Sequence, residues 1–393
     1  MKNNKTEKLV YLIVFLIPLY LVRVKIWFVP TNFLEILIIL TALFVFLFNK
    51  KEFEIKRFFL KYKGYVLAAL LIFLGLLLSA FFNGNNQDSW GIIKSWFLLP
   101  IIFTLTCGLV VKKENVENIF KAYFYSSVAV AIISLGYFIS QKVTYDGRLS
   151  GLFPSPNYLA MYLSPAIIFF SFQSRKDKLK IIIPFGLILI AFYLTYSYAA
   201  WLSVIFSLAL IIIWENRKLS KNLCFKLSGL LLIIFLLLLS QLHKDKFNSL
   251  ITLNDRSSLA SRVMIWKASV KMIENNFWFG IGAGNFQDVY LEYQKFYPPY
   301  LNWAVAHPNN LYLAWWLYGG VAGIIGFFAL IVLFLQSVLR KTEPKGVLSI
   351  AAGIMLVILI HGVFDTTYFK NVSPPFSSRP NRISSDRTSL IFV

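Results

Sequence analysis

AVAHPNNLYLAWWLYGGVAGIIGFFALIVLFLQSVL, residues 304–339, passes from a histidine and two asparagines into a long apolar run. From Leu311 to Leu339 that run carries no charged residue, and about twenty apolar residues are enough to cross the hydrocarbon core of a bilayer. Lipid offers no water to pair with backbone N–H and C=O groups, so the run must form a helix. Similar runs lie near 9–22, 33–48, 65–82, 91–111, 119–140, 157–172, 181–197, 199–214, 227–240 and 346–364. Together they predict an all-α, polytopic membrane protein with about eleven transmembrane helices. The composition agrees: 58% of the 393 residues are hydrophobic and only 15% charged, unlike a soluble domain of this size.

The formal charge of +21 is explained by topology. MKNNKTEK, KKEFEIKRFFLKYKG, KKENVEN, SRKDKLK, ENRKLSKN and RKTEPKG are rich in Lys and Arg. They alternate with RVKIWFVPTN, NGNNQDSW, QKVTYDGRLSGLFPSP and the turn near Tyr198, which are poor in basic residues. Basic loops stay in the cytoplasm, so the N-terminus is expected to be cytoplasmic, in a multi-pass protein of the cytoplasmic (inner) membrane. Nucleic acid is not an expected partner; membrane lipids are. The basic start runs into LVYLIVFLIPLYLV without a small-x-small cleavage site, which predicts an uncleaved first span. Cys107 and Cys224 lie in or beside apolar runs, where core packing is the expected role.

With this orientation residues 241–308 form a large outward loop. Leu259, Val263, Trp266, Val270 and Ile273 recur at helical spacing, with Arg262, Lys267, Lys271 and Glu274 on the opposite side. Asn254, Asp255 or Ser258 can cap the start. Such an amphipathic helix rests on the lipid surface or over the bundle. Gly280, Gly282 and Gly284 predict a tight turn, Asn285 begins a second short helix, and Pro298-Pro299 ends it.

No Walker A loop, HExxH or CxxC pair is present, so any chemistry falls to outward polar residues beside the spans. His307 precedes Pro308, a residue suited to the first helical position, which puts His307 at or near an N-cap. There the helix dipole favours anions and a neutral imidazole, as a general base acting beside a phosphate requires. The alternative is an interfacial histidine that only caps a helix. Arg148 and Arg262 have the planar fork of donors that binds phosphate oxygens, against the alternative of lipid phosphates or water. Lys94 is a third candidate for substrate binding, unless it snorkels to the interface. His361 and Asp365 are one helical turn apart and shallow enough to be solvated, and His243 reads as a loop residue. Gly319, Gly320, Gly323 and Gly326 follow a small-residue pattern that allows close helix packing.

Three stretches in this order, GRLSGLFPSPNYLAMYL, SRVMIWKASVKMIENNFWFGIGAGNF and AHPNNLYLAWWLYGGVAGIIGFF, resemble the O-antigen ligase and polymerase family over most of residues 9–370. The resemblance implies a GT-C-like membrane glycosyltransferase with a large extracytoplasmic loop. It implies transfer of a glycan from a polyprenyl-pyrophosphate carrier, normally undecaprenyl-pyrophosphate, to an acceptor hydroxyl on a glycan, lipid or protein. It also implies no metal and no other cofactor. By the same resemblance His307 is the base that activates the acceptor, while Arg148 and Arg262 bind the donor diphosphate. The principal alternative is a transporter or flippase of lipid-linked saccharides, which should show paired repeats and broken helices at the midplane. Relatives usually continue past a YFKND-like stretch into a further span, whereas VSPPFSSRPNRISSDRTSLIFV here is polar. Residues 371–393 are therefore expected to be a disordered tail or, preferentially, the product of a slipped reading frame.

Overall fold

The computed structural model of the chain describes residues 2–26, 29–48, 60–84, 87–216, 220–242, 244, 247–248, 258–298, 305–340 and 345–366. Helices form over all eleven apolar runs. They are α1 Lys2–Phe15, α2 Phe33–Phe48, α3 Lys63–Phe82, α4 Gln87–Ile93 and α5 Leu99–Val110. The last two are joined by a π-helical turn, Lys94–Leu98. Then follow α6 Glu117–Ile139, α7 Pro156–Ser171, α8 Arg175–Leu194, α9 Tyr198–Glu215 and α10 Lys221–Leu239. After α11 Ser258–Asn275 and α12 Phe286–Gln294 come α13 Leu311–Leu339 and α14 Lys345–His361. Five helical stretches, Lys63–Phe82, Asp88–Val110, Lys113–Ile139, Tyr198–Glu215 and Leu311–Leu339, are long and apolar enough to cross a membrane. Side chains such as Phe46, Ile183 and Phe225 point outward, as lipid-facing residues do. This is a mostly helical, multi-pass membrane protein.

The first predicted span, 9–22, is interrupted. α1 ends at Phe15, a 3-10 turn covers Ile17–Leu21, and an antiparallel hairpin pairs β1 Arg23–Ile26 with β2 Val29–Asn32. Pro18 lacks the N–H that would continue the helix, and Val22, Val24 and Ile26 are β-branched residues that favour extended backbone. The chain is thus not purely α-helical. Cys107 is half-buried but Cys224 is exposed, so core packing does not account for Cys224. His243 and residues 371–393 lie outside the described residues.

Two cores organise the bundle. One gathers Phe124, Leu163, Phe169, Ile188, Trp201 and their neighbours from α6, α7, α8 and α9. The other joins Ile72, Leu76, Ile93, Trp315 and Tyr318 of the apolar helices to Met264, Met272, Phe286 and Tyr290 of α11 and α12. The loop helices therefore lie over the bundle, one of the two placements expected for an amphipathic helix. The register of α11 differs from expectation. Its buried face is Met264, Ile265, Ala268, Ser269 and Met272, while Val263 and Val270 are exposed. Small Ala268 and Ser269 fit the close contact, and the bulkier valines are turned away.

Glycines set the closest approaches. A Cβ on Gly75 of α3 would lie 2.7 Å from the backbone nitrogen of Gly323 on α13, and one on Gly326 only 2.9 Å from Ala68 O. The small-residue pattern is packing, as predicted. α13 itself breaks at Gly320, where φ is 60° and ψ −158°. The glycine loop fills the break: Ile281 N donates to Leu317 O at 2.7 Å, and Val321 N donates to Trp278 O at 3.2 Å. Backbone released from a helix in lipid is tolerated when protein groups satisfy it in this way. Gly280, Gly282 and Gly284 all have positive φ, so the predicted tight turn is present, and its purpose is to reach this break.

Candidate functional site

The site is assembled where the starts of α7, α9 and α11 meet the end of α14. Arg148 sits in the loop before α7, between Gly147 and Gly151, both in left-handed conformation. Its side chain is held in place. Nε donates to Thr195 O at 2.8 Å, one terminal nitrogen donates to Asn157 Oδ1 at 2.9 Å, and Asp146 lies 3.7 Å from the other. Asn157 also accepts from Ser197 Oγ at 3.0 Å and donates to Asp365 Oδ2 at 3.3 Å. These partners fix which end of the amide is which. Arg262, on the first turns of α11, donates from Nε to Phe364 O at 2.7 Å and from a terminal nitrogen to Ser258 O at 3.2 Å.

Both arginines line one cavity of about 460 Å³. Tyr198, Gln241 and Asn157 share its polar end, and Leu202, Ile205, Ile234, Leu237 and Leu238 of α9 and α10 form an apolar wall. Burial lowers the Arg148 pKa below its ordinary value; Asp146 opposes that shift and the nearby Arg262 adds to it. Arginine remains charged under these conditions. Two guanidinium groups therefore repel one another across a cavity where the acid paired with Arg148 is Asp146. Two arginines against one paired acid leave net positive charge that favours an anion, and the apolar wall favours a hydrocarbon attached to it.

His307 does not line this cavity. The imidazole is 7% exposed, and Nδ1 is 3.0 Å from the Tyr318 hydroxyl on α13. The expected N-cap role is corrected. Asn309 has φ 48°, which stops a helix from starting at Pro308. Asn310 is the cap instead, its Oδ1 accepting from Tyr312 N at 2.9 Å and Leu313 N at 3.0 Å. His307 thus owes its setting to Tyr318 and burial, and the helix-dipole argument does not apply to it. Trp266, one turn beyond Arg262, donates from Nε1 to Asn309 O at 3.2 Å. Four residues of α11, about 6 Å of rise, separate the arginine of the cavity from the indole that holds the histidine loop.

The turn after α14 ties these parts together. Gly362 O accepts from Leu311 N at 2.6 Å, Val363 O from Asn310 Nδ2 at 3.0 Å, and Phe364 O from Arg262. His361 and Asp365 are 0% and 4% exposed, so the expectation that they are solvated is corrected. They sit under this turn. Lys94 is not brought to the cavity. It is 2.8 Å from Glu35 Oε2 and donates to Pro30 O at 2.7 Å, and Glu35 also accepts from Thr31 and Asn32. Lys94 therefore pins the hairpin, and its candidacy as a substrate-binding cation is withdrawn.

Sequence reasoning missed Asn157, Tyr318 and the backbone of 362–364. Asn157 carries a weak signal, since Pro156-Asn157 opens a span. Tyr318 carries none, because no spacing rule pairs a loop histidine with a tyrosine inside an apolar helix. Among the described residues no cluster of three His, Cys, Asp or Glu could hold a metal ion.

No curated protein matches the chain. A family model does: residues 183–328 match the family described as O-antigen ligase. The matched stretch contains Arg262, His307, Tyr318, the glycine turn and the two helices of the cavity's apolar wall. Over residues 183–328, somewhat more than a third of the chain, the protein is thus similar to the O-antigen ligase family, in keeping with the sequence stretches that carry the same resemblance.

Proposed function

We propose that the protein transfers a glycan from a polyprenyl-pyrophosphate carrier, of the undecaprenyl type, to an acceptor hydroxyl at the outer face of the cytoplasmic membrane. The observation that carries this reading is the pair Arg148 and Arg262 in one cavity with an apolar wall. A diphosphate diester bears two negative charges, which two guanidinium groups match through their forked donors. The polyprenyl chain then runs along Leu202, Ile205, Leu237 and Leu238 toward lipid. The charge alternation of the loops supports the outward placement of the site and the eleven spans, and the family supports a GT-C-like plan.

In the reaction the acceptor oxygen bonds to the anomeric carbon, the bond from that carbon to the diphosphate oxygen breaks, and polyprenyl diphosphate leaves. The leaving group gains charge, so the arginines bind it more tightly than the intact donor, which is what accelerates a step. His307 takes the acceptor proton. With Nδ1–H donating to Tyr318 Oη, the base is Nε2, and the partner on one ring nitrogen sets the other's role. The chemistry requires no metal.

The test uses purified protein in vesicles containing lipid-linked glycan. Arg148→Ala, Arg262→Ala and His307→Ala should each insert normally and lose transfer. Full transfer by all three would remove the site assignment. Movement of the lipid-linked glycan across the vesicle membrane with no covalent product would instead identify a flippase.

A further inference from the structure

α11 has two lined faces. Arg262 looks into the donor cavity, while the neighbouring Val263, Trp266, Lys267, Val270, Lys271 and Glu274 form, with Tyr297, a second concavity of about 400 Å³. Its composition is mixed residue by residue. Val263 and Val270 are exposed apolar groups, Trp266 and Tyr297 supply aromatic faces, and Lys271 and Glu274 pair at 2.8 Å. The Trp266 ring is not loose, because its N–H is committed to Asn309 O, two residues from His307. That bond ties the wall of this concavity to the histidine loop, on the same helix as the donor-cavity arginine.

We infer that this concavity is the acceptor subsite, holding a saccharide unit of the acceptor with its C–H face against Trp266 and its hydroxyls toward Lys267, Lys271 and Glu274. The inference rests on the transfer reaction proposed above. Three features favour a sugar over other occupants. A pyranose presents an apolar C–H face and a rim of hydroxyls, and flat aromatic side chains with a few convergent polar groups match that shape. Acyl chains would not suit a Lys–Glu ion pair, whereas the hydroxyls of a sugar can bond both of its members. A donor diphosphate has its own cations, Arg148 and Arg262, in a separate cavity. The arrangement puts donor and acceptor on adjoining faces of α11, with the loop that carries His307 hydrogen-bonded to Trp266.

The test has two arms. In cells producing the glycan, a photoreactive benzoylphenylalanine replaces Val270, with Ile183, 78% exposed on the apolar bundle surface, as the control position. Illumination should give a carbohydrate-bearing adduct at 270 and a phospholipid adduct at 183. A phospholipid or protein adduct at 270, or none at all, overturns the inference. In vesicles, with a dilution series of envelope glycan extract as the acceptor probe, Trp266→Ala should raise the half-saturating acceptor amount by about tenfold. The donor's half-saturation should stay at the wild-type value, and Trp266→Tyr should recover most of the loss. A rise in the donor's half-saturation, or no change in either, also overturns it. If wild-type protein transfers nothing, the proposed reaction fails; the adduct at position 270 still decides whether a saccharide binds there.

Discussion

Tyr318 is the residue through which the His307 assignment becomes testable. A hydroxyl on Nδ1 that accepts the ring proton keeps the lone pair on Nε2. Tyr318→Phe should therefore lower kcat by about ten- to a hundredfold, less than the full contribution of a general base because the imidazole itself remains, and should leave the half-saturating donor concentration near the wild-type value. Equal loss in both parameters would instead indicate a packing defect. For the arginines, Lys substitution should not rescue: Arg148→Lys keeps a charge but cannot hold Thr195 O and Asn157 Oδ1 at once. Donor affinity measured with lipid-linked glycan should fall about tenfold or more for Arg148→Lys. The candidate residues His307, Arg148 and Arg262 were legible in the sequence because few polar groups stand at the ends of apolar runs. Their partners were not, because a neutral Asn157 or a tyrosine in a span looks like ordinary lining until the chain is folded. Lys94 misled for the converse reason, since its partner Glu35 lies 59 positions away on another helix.

At the level of elements, caps and breaks carry the consequences. Asn310 satisfies two donors at the start of α13, so Asn310→Ala should cost about 1 kcal/mol and lower the thermal midpoint in detergent. Its effect should exceed that of Asn309→Gly, which suits a left-handed φ. Gly320 occupies a backbone region nearly reserved for glycine, and a side chain there would also overlap Trp278 O. Gly320→Ala should therefore destabilise by about 1–3 kcal/mol, measurable as a lowered midpoint; an unchanged one would mean that α13 can straighten. The helices themselves were readable from hydropathy because lipid permits little else. The face of α11 was not, because Ala268 and Ser269 are weak hydrophobic signals although they are fully buried. The hairpin at Arg23–Asn32 falls in RVKIWFVPTN, which was legible only as a loop because its two strands are just four residues each.

For the whole molecule, the loop charges predict that α11 is outside the cell and that the basic start of α8, from Arg175, is inside. Single cysteines at Lys267 and Lys180, in a protein lacking Cys107 and Cys224, should separate cleanly with an impermeant thiol reagent. Position 267 should be labelled in intact cells, and position 180 only after permeabilisation. The reverse pattern would place the site on the cytosolic face. The stitch between the glycine turn and α13 has a further bearing on biosynthesis. A nascent α13 reaching the translocon already has residues 277–285 behind it, and its carbonyl at Leu317 and amide at Val321 find their native partners in that preceding segment. Insertion of this helix and docking of the turn are thus parts of a single step. A shortened version lacking the turn would release Leu317 O and Val321 N, an i, i+4 pair, to bond each other, so its α13 would insert as a straight helix without the native bend.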